Sequence, residues 1–252
     1  MSHSLRLTLF LIGAGALAII WAAAMIHLPG PRDLRDRYLL QIDARTFPER
    51  NVTDAVTAVN FDYRGFDTVG EEFILFASVL GSLVLLRQAE EHKTRPLRDA
   101  ISPGRDVGPS DAMRLWILAL VGPKIAFGIY VVIHGQLSPG GGFQGGVILA
   151  SAALIIYLGH NFETFKRIMT HPLIEIAEAL GAAIFVATGF VAFLYRQPFL
   201  TNVIPLGKAN ELTSGGTIPV VSAATGVEVA GGFVLLLYAF LQENLTGEAK
   251  EK

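Results

Sequence analysis

The chain has 252 residues, of which 52% are hydrophobic and only 17% charged, with a formal net charge of −2. A soluble domain carries about 25% charged residues; here the mean hydropathy is +0.48, and charge is missing from several long apolar runs, as in an integral membrane protein. A soluble single-domain enzyme is excluded, the near-neutral balance leaves no footprint for nucleic acid, and the absence of cysteine rules out disulfides, thiol catalysis, iron–sulfur ligation and thiolate zinc sites.

A helix needs about 20 apolar residues to cross the hydrocarbon core. The first such run is Leu7 to Leu28. Its length fits a retained span, although Arg6, the apolar stretch and Ala22-Ala23-Ala24 also fit a cleaved signal. The second run is Thr68 to Leu86, with Glu71 and Glu72 at its start. Thr68-Val69-Gly70-Glu71 matches the capping box, so the Glu71 carboxylate is expected to reach back to a backbone N–H. Just upstream, Asp62, Arg64 and Asp67 are expected to form a local ion cluster at the membrane surface. Gln88 to Asp111 is polar and holds Pro96, Pro103 and Pro109, the composition of a linker.

The third run, Leu115 to Ile133, contains Pro123 and Lys124. The fourth is Phe143 to Leu158, the fifth Leu173 to Tyr195 with Glu175 and Glu178 near its start, and the sixth Ile218 to Leu241 with Glu228 near its middle. The runs are continuous rather than alternating, which disfavours a closed β-barrel. The fold class is therefore all-α: a polytopic membrane protein of about six helices, two plus four. The implied organisation is a two-helix module over 1–87, a polar linker over 88–112 and a four-helix domain over 113–252. The distribution of Lys and Arg modestly favours both termini on the cytoplasmic side.

Ionisable groups inside a membrane are the most informative feature. Lys124 and Glu228 each lie near mid-span, where a charge costs about 2.5–3.5 kcal/mol on insertion scales. Each must be neutral, paired, or turned toward protein or water. Lying at similar depth, the two are expected to meet in the bundle. They read as a proton or cation relay, as a structural pair, or as polar glue to a partner protein. Glu175 and Glu178 share a helix face; the former suits a helix N-terminus, and the latter lies deeper. His134 opens the segment HGQLSPGGGFQGG, in which Gly140, Gly141 and Gly142 require a tight irregular connection. No Gly-Lys-Ser/Thr follows, so it is no phosphate loop. No second His stands at metal-ligand spacing, so neither metal nor cofactor is expected, and no Ser/His/Asp arrangement suggests an enzyme.

His134 to Gly146, with its Pro139-Gly-Gly-Gly-Phe143 turn, resembles the signature of the B-type (MnhB) component of multisubunit Mrp-type (Mnh) cation/proton antiporters. Thr225 to Phe240, TGVEVAGGFVLLLYAF, resembles that family's last helix. Asn60 to Glu71, NFDYRGFDTVGE, resembles a segment near the C-terminal end of the A-type Mrp component; the same segment resembles part of a small component of membrane-bound hydrogenases. The resemblance implies a subunit of a plasma-membrane complex that exchanges Na⁺ for H⁺ beside A-, C- and D-type subunits. It implies a share in the ion path and in assembly, with the Pro139 to Phe143 turn as a functional element. Two alternatives remain: a membrane subunit of an energy-converting hydrogenase or related redox complex, and a scaffold without ion contact.

Overall fold

The computed structural model describes residues 3–26, 38, 40–90, 109–160 and 162–247, and every regular element among them is helical. The chain divides into two compact units, Met1–Ala44 and Arg45–Lys252. The first contains α1 (His3–Ile26), a helix of 24 residues, whose side chains from Leu11 to Ala23 are exposed. Helix α2 (Leu40–Arg50) crosses the boundary, so Arg50 belongs to the second unit.

The second unit continues with a single turn, α3 (Ala55–Ala58), and a π-helical turn over Val59–Tyr63. Asp54 caps α3 by accepting the Thr57 N–H at 2.9 Å. Then come α4 (Gly65–Glu90), α5 (Asp111–Ile133), α6 (Gly142–Gly159), the short α7 (Phe162–Ile168), α8 (His171–Leu194) and α9 (Ile218–Gly247). Five of these helices, α4, α5, α6, α8 and α9, are long and apolar enough to cross a membrane. With α1 they give the all-α polytopic fold that the apolar runs predict. Helices suit this setting because they satisfy their backbone groups internally where no water can.

Helix α9 is the central element. It packs against α8, α6 and α4, while α5 packs chiefly on α6. Lipid tails are as apolar as leucine, so association rests on close contact rather than on hydrophobic burial. The contact points accordingly use glycine: Gly146 lies against Val229, Gly128 against Leu149, and Gly159 against Ile117. Helix α4 packs on α9, so the second predicted span shares one unit with the four later spans.

One end of the bundle is closed by three loops distant in sequence. Gln136 O accepts the Thr53 N–H at 3.1 Å, and Gln136 Nε2 donates to Leu212 O at 2.7 Å. Asn202 Nδ2 donates to Asp62 Oδ2 and to Gly215 O, each at 2.8 Å, and Asn202 Oδ1 accepts the Thr217 N–H at 3.0 Å.

Two local expectations change here. The capping box does not form: α4 begins at Gly65, so Thr68 is already inside the helix, and its hydroxyl donates to Asn60 O at 2.5 Å. The π turn hands the chain into α4 one turn early and leaves Glu71 exposed. The ion cluster also splits. Asp62 pairs with Arg50 at 2.7 Å, whereas Arg64 pairs with Asp67. The middle of the predicted linker, 91–108, lies outside the described residues.

Candidate functional site

Glu228 stands ten residues beyond the start of α9, about 15 Å along its axis at 1.5 Å per residue, and is fully buried. It fits because α8 presents Gly181. A Cβ there would lie 2.6 Å from the Glu228 Cβ. The arrangement is reciprocal: α9 presents Gly231 and Gly232 to Glu178 of α8. A Cβ on Gly231 would lie 3.0 Å from the Glu178 Cβ, and one on Gly232 3.1 Å from Glu178 Oε1. At two levels, one helix contributes a glutamate and the other a glycine.

The third carboxyl is Glu72 of α4, 3% exposed. It faces both Glu228 and Thr225. Glu228 is the middle member, since Glu72 and Glu178 both act on it electrostatically. The three lie between two apolar clusters. Val69, Phe185 and Ala224 belong to the cluster near the loops, and Val79, Ile174 and Val234 to the other. On each of the three helices the glutamate falls between a residue of one cluster and a residue of the other. A void of about 10 Å³ beside Glu72 is lined otherwise by apolar side chains, Val69, Phe73, Ala182, Phe185 and Val186.

Among the described residues, both oxygens of Glu72, both of Glu228 and Oε1 of Glu178 have no hydrogen-bond partner outside the carboxyl line and Thr225. Among the described ion pairs none brings a Lys or Arg to these acids. The described residues form no group of three or more acidic or histidine side chains able to hold a metal ion. The carboxyls thus form a line rather than a cage. Like charges at close range in a low dielectric disfavour joint ionisation, so the line needs protons or a bound cation to balance it.

The line has polar neighbours at both ends. One turn toward the start of α8, the half-exposed Glu175 pairs with His171 at 3.3 Å. Toward the loops, Thr225 shares a face of α9 with Ser222, three residues earlier. The Ser222 hydroxyl donates to Val132 O at 3.2 Å. A Cβ on Gly135 would lie 3.4 Å from that hydroxyl. The adjoining Gln136 is fully buried, with Oε1 lacking a partner.

The expected Lys124–Glu228 pair is not formed. Lys124 is half-buried on the stripe of α5 that also carries Ile117 and Gly128, and these two pack on α6. Glu228 instead meets Gly181 of α8 and faces Glu72 of α4. His134 also stands apart from the carboxyls. Its Nδ1 lies 3.0 Å from Tyr130 O, and its ring stacks on Tyr130 at 4.0 Å.

The glycine turn supports the site from the loop side. Gly141 has φ of 118°, and Gly140 would meet Val131 O at 2.9 Å if it carried a Cβ. A Cβ on Gly142 would lie 2.6 Å from the Thr225 Cβ. Pro139 is exposed, and Phe143 is half-buried beside this contact. Outside the spans, burial and then the Glu49 carboxylate, which accepts its hydroxyl at 3.0 Å, push the Tyr63 phenol up from its ordinary value.

Sequence reasoning passed over Glu72, Thr225 and Gln136. The retrievable signal for Glu72 is its place in the series 65, 68, 69, 72 and 79, the buried positions among the described side chains of α4.

A family model described as "Domain related to MnhB subunit of Na+/H+ antiporter" matches residues 113–235. A probable K(+)/H(+) antiporter component of the combined A/B type, from Rhizobium meliloti (strain 1021), is 28% identical over 265 residues, covering 96% of this chain. The chain spans only 25% of the length of that relative. An uncharacterized protein of Methanocaldococcus jannaschii is 30% identical over 203 residues, 72% of this chain and 74% of its own length. Among solved structures, a chain of the membrane-bound sulfane sulfur reductase, an archaeal respiratory membrane complex, superposes with a TM-score of 0.70 at 26% identity. That match covers 94% of this chain and 99% of that one.

Proposed function

We infer function from family membership: this chain belongs to the MnhB-related membrane subunits of Na⁺/H⁺ antiporters. It acts as one subunit of a multisubunit monovalent cation/proton antiporter in the plasma membrane, with its termini on the cytoplasmic side. It sits beside A-, C- and D-type subunits and forms part of the ion path. It transports rather than catalyses bond chemistry.

The observation that carries this reading is the buried line Glu72, Glu228 and Glu178, to which no described ion pair brings a Lys or Arg. A carboxylate in a water-poor interior must be compensated by a proton or by a cation. Since either one suffices, the two compete, and such competition is what an exchanger requires. Glu72 and Glu228 share compensation at the loop side, Glu178 passes it on, and Glu175 with His171 connects it to the opposite surface. Thr225 offers a hydroxyl that can both donate and accept beside Glu72.

Neutralisation in the assembled complex tests this reading. Glu228→Gln and Glu178→Gln each lower antiport in inverted vesicles by roughly tenfold or more, the size of a one-unit change in proton affinity, while subunit yield stays normal. Full antiport in both variants would sink the ion-path role and leave the scaffold reading.

The likeness to the sulfane sulfur reductase complex supports a second reading, a membrane subunit of a redox-driven complex in which the same carboxyls move ions. Purification separates the two, because a redox complex brings iron–sulfur subunits with this chain.

A further inference from the structure

We propose that the α5–α6 seam around Lys124 is the docking surface for a membrane-spanning helix of a partner subunit that carries an Asp or Glu at mid-span. The inference rests on the multisubunit reading above, but it concerns a surface separate from the carboxyl line.

Lys124 is thirteen residues from the start of α5 and nine from its end, so it lies about 20 Å and 14 Å from the two helix ends. A lysine stem reaches about 6 Å toward an interface. The anionic groups of lipids are therefore out of range, and the hydrocarbon offers no counter-charge. Among the described residues this chain offers none either. Helix α6 contains no acidic residue, and the acidic residue of α5 is Asp111, at its far end. Among the described residues no ion pair or hydrogen bond involves Lys124. The three buried glutamates belong to α4, α8 and α9, and none of them is paired with Lys124.

The position is neither sealed nor open. Lys124 is half-buried along the seam, and one turn to either side Leu120 and Phe127 are 51% and 56% exposed. Exposed apolar side chains around a central lone cation make a surface that a helix with a mid-span carboxylate complements in both shape and charge. A purely apolar helix would leave the ammonium unpaired, and a basic one would repel it.

Zero-length crosslinking of the wild-type complex in its native membrane tests the assignment. Dicyclohexylcarbodiimide partitions into the bilayer and activates a carboxylic acid. The Lys124 amine then displaces dicyclohexylurea, and an amide forms from the acid and the amine. The expected product joins Lys124 to an Asp or Glu in a spanning segment of a different polypeptide of the complex, as read by mass spectrometry. Lys124→Glu is then expected to lose the complex, and Lys at the partner's acidic position to restore it. An amide to a carboxyl of this same chain, an amide to a lipid serine, or no amide at Lys124 overturns the proposal. These outcomes differ from failure of the multisubunit reading, in which no other polypeptide purifies with the chain at all.

Discussion

Glu71 and Glu72 are adjacent and have opposite fates. The first is exposed, and the second is 3% exposed and faces Glu228. A helix advances 100° per residue, so one step is enough to move a side chain off the packed face. The sequence could not set that phase. Helix α4 is apolar on all sides, and without a polar face there is no stripe to orient it. The T-x-x-E pattern then drew attention to the wrong glutamate. We expect Glu72→Gln to lower antiport as Glu228→Gln does, and Glu71→Gln to leave it unchanged; equal effects would remove Glu72 from the path. The same logic settles Lys124 and Glu228. Depth along each helix was legible from residue counting, but which face each side chain takes was not. Because the two do not touch, the effects of Lys124→Met and Glu228→Gln on complex stability should add within about 0.5 kcal/mol. Coupling well above that in a double-mutant cycle would restore the direct pair.

Among the elements, the spans were legible to within a few residues because an apolar run of sufficient length has few alternatives in a membrane. Which faces meet was not. The α8–α9 crossing depends on Gly181, Gly231 and Gly232 facing glutamates, a match between positions about fifty residues apart that no local pattern records. The glycine turn was recognised as a close-packed connection, yet its neighbour was unknown: Gly142 packs on Thr225 and thereby sets α6 beside the carboxyl line. Thr225 is fully buried, and its hydroxyl faces the Glu72 carboxyl. A buried hydroxyl left without a partner costs about 1–3 kcal/mol, so the pairing of this one with Glu72 ties it to the carboxyl line. Thr225→Val keeps the shape and removes the hydroxyl, whereas Thr225→Ser keeps it. The valine variant should slow antiport with normal assembly, and the serine variant should remain near wild type. Equal rates in the two would show that Thr225 serves packing alone.

For the second unit as a whole, the telling feature is the closure of one bundle end by segments around residues 51–64, 134–141 and 195–217. Read alone, the last of these had no assigned role, and Asp62 was expected to serve only its neighbours in sequence. In the folded chain, Asn202 joins all that matters at this end. Its amide nitrogen donates to Asp62 and to Gly215 O, and its oxygen accepts the Thr217 N–H immediately before α9. Asp62 in turn holds Arg50 at 2.7 Å. One side chain therefore fixes the start of the central helix against the turn that launches α4, and these are the helices that carry Glu228 and Glu72. Asn202→Leu, similar in volume but without polar atoms, leaves the Thr217 N–H and Gly215 O without their partner, and each buried loss costs about 1–3 kcal/mol. The expected outcome is a lower thermal midpoint of the purified complex, together with loss of antiport disproportionate to the fall in yield, because the two carboxyls lose their common anchor. Asn202→Asp keeps the acceptor for Thr217 but replaces both donors and sets a second acid beside Asp62, so it should be no better than the leucine variant. If Asn202→Asp instead behaves as wild type in both measurements, the donors are dispensable, and the register of α4 against α9 is set by the glycine contacts inside the bundle rather than by its loop end.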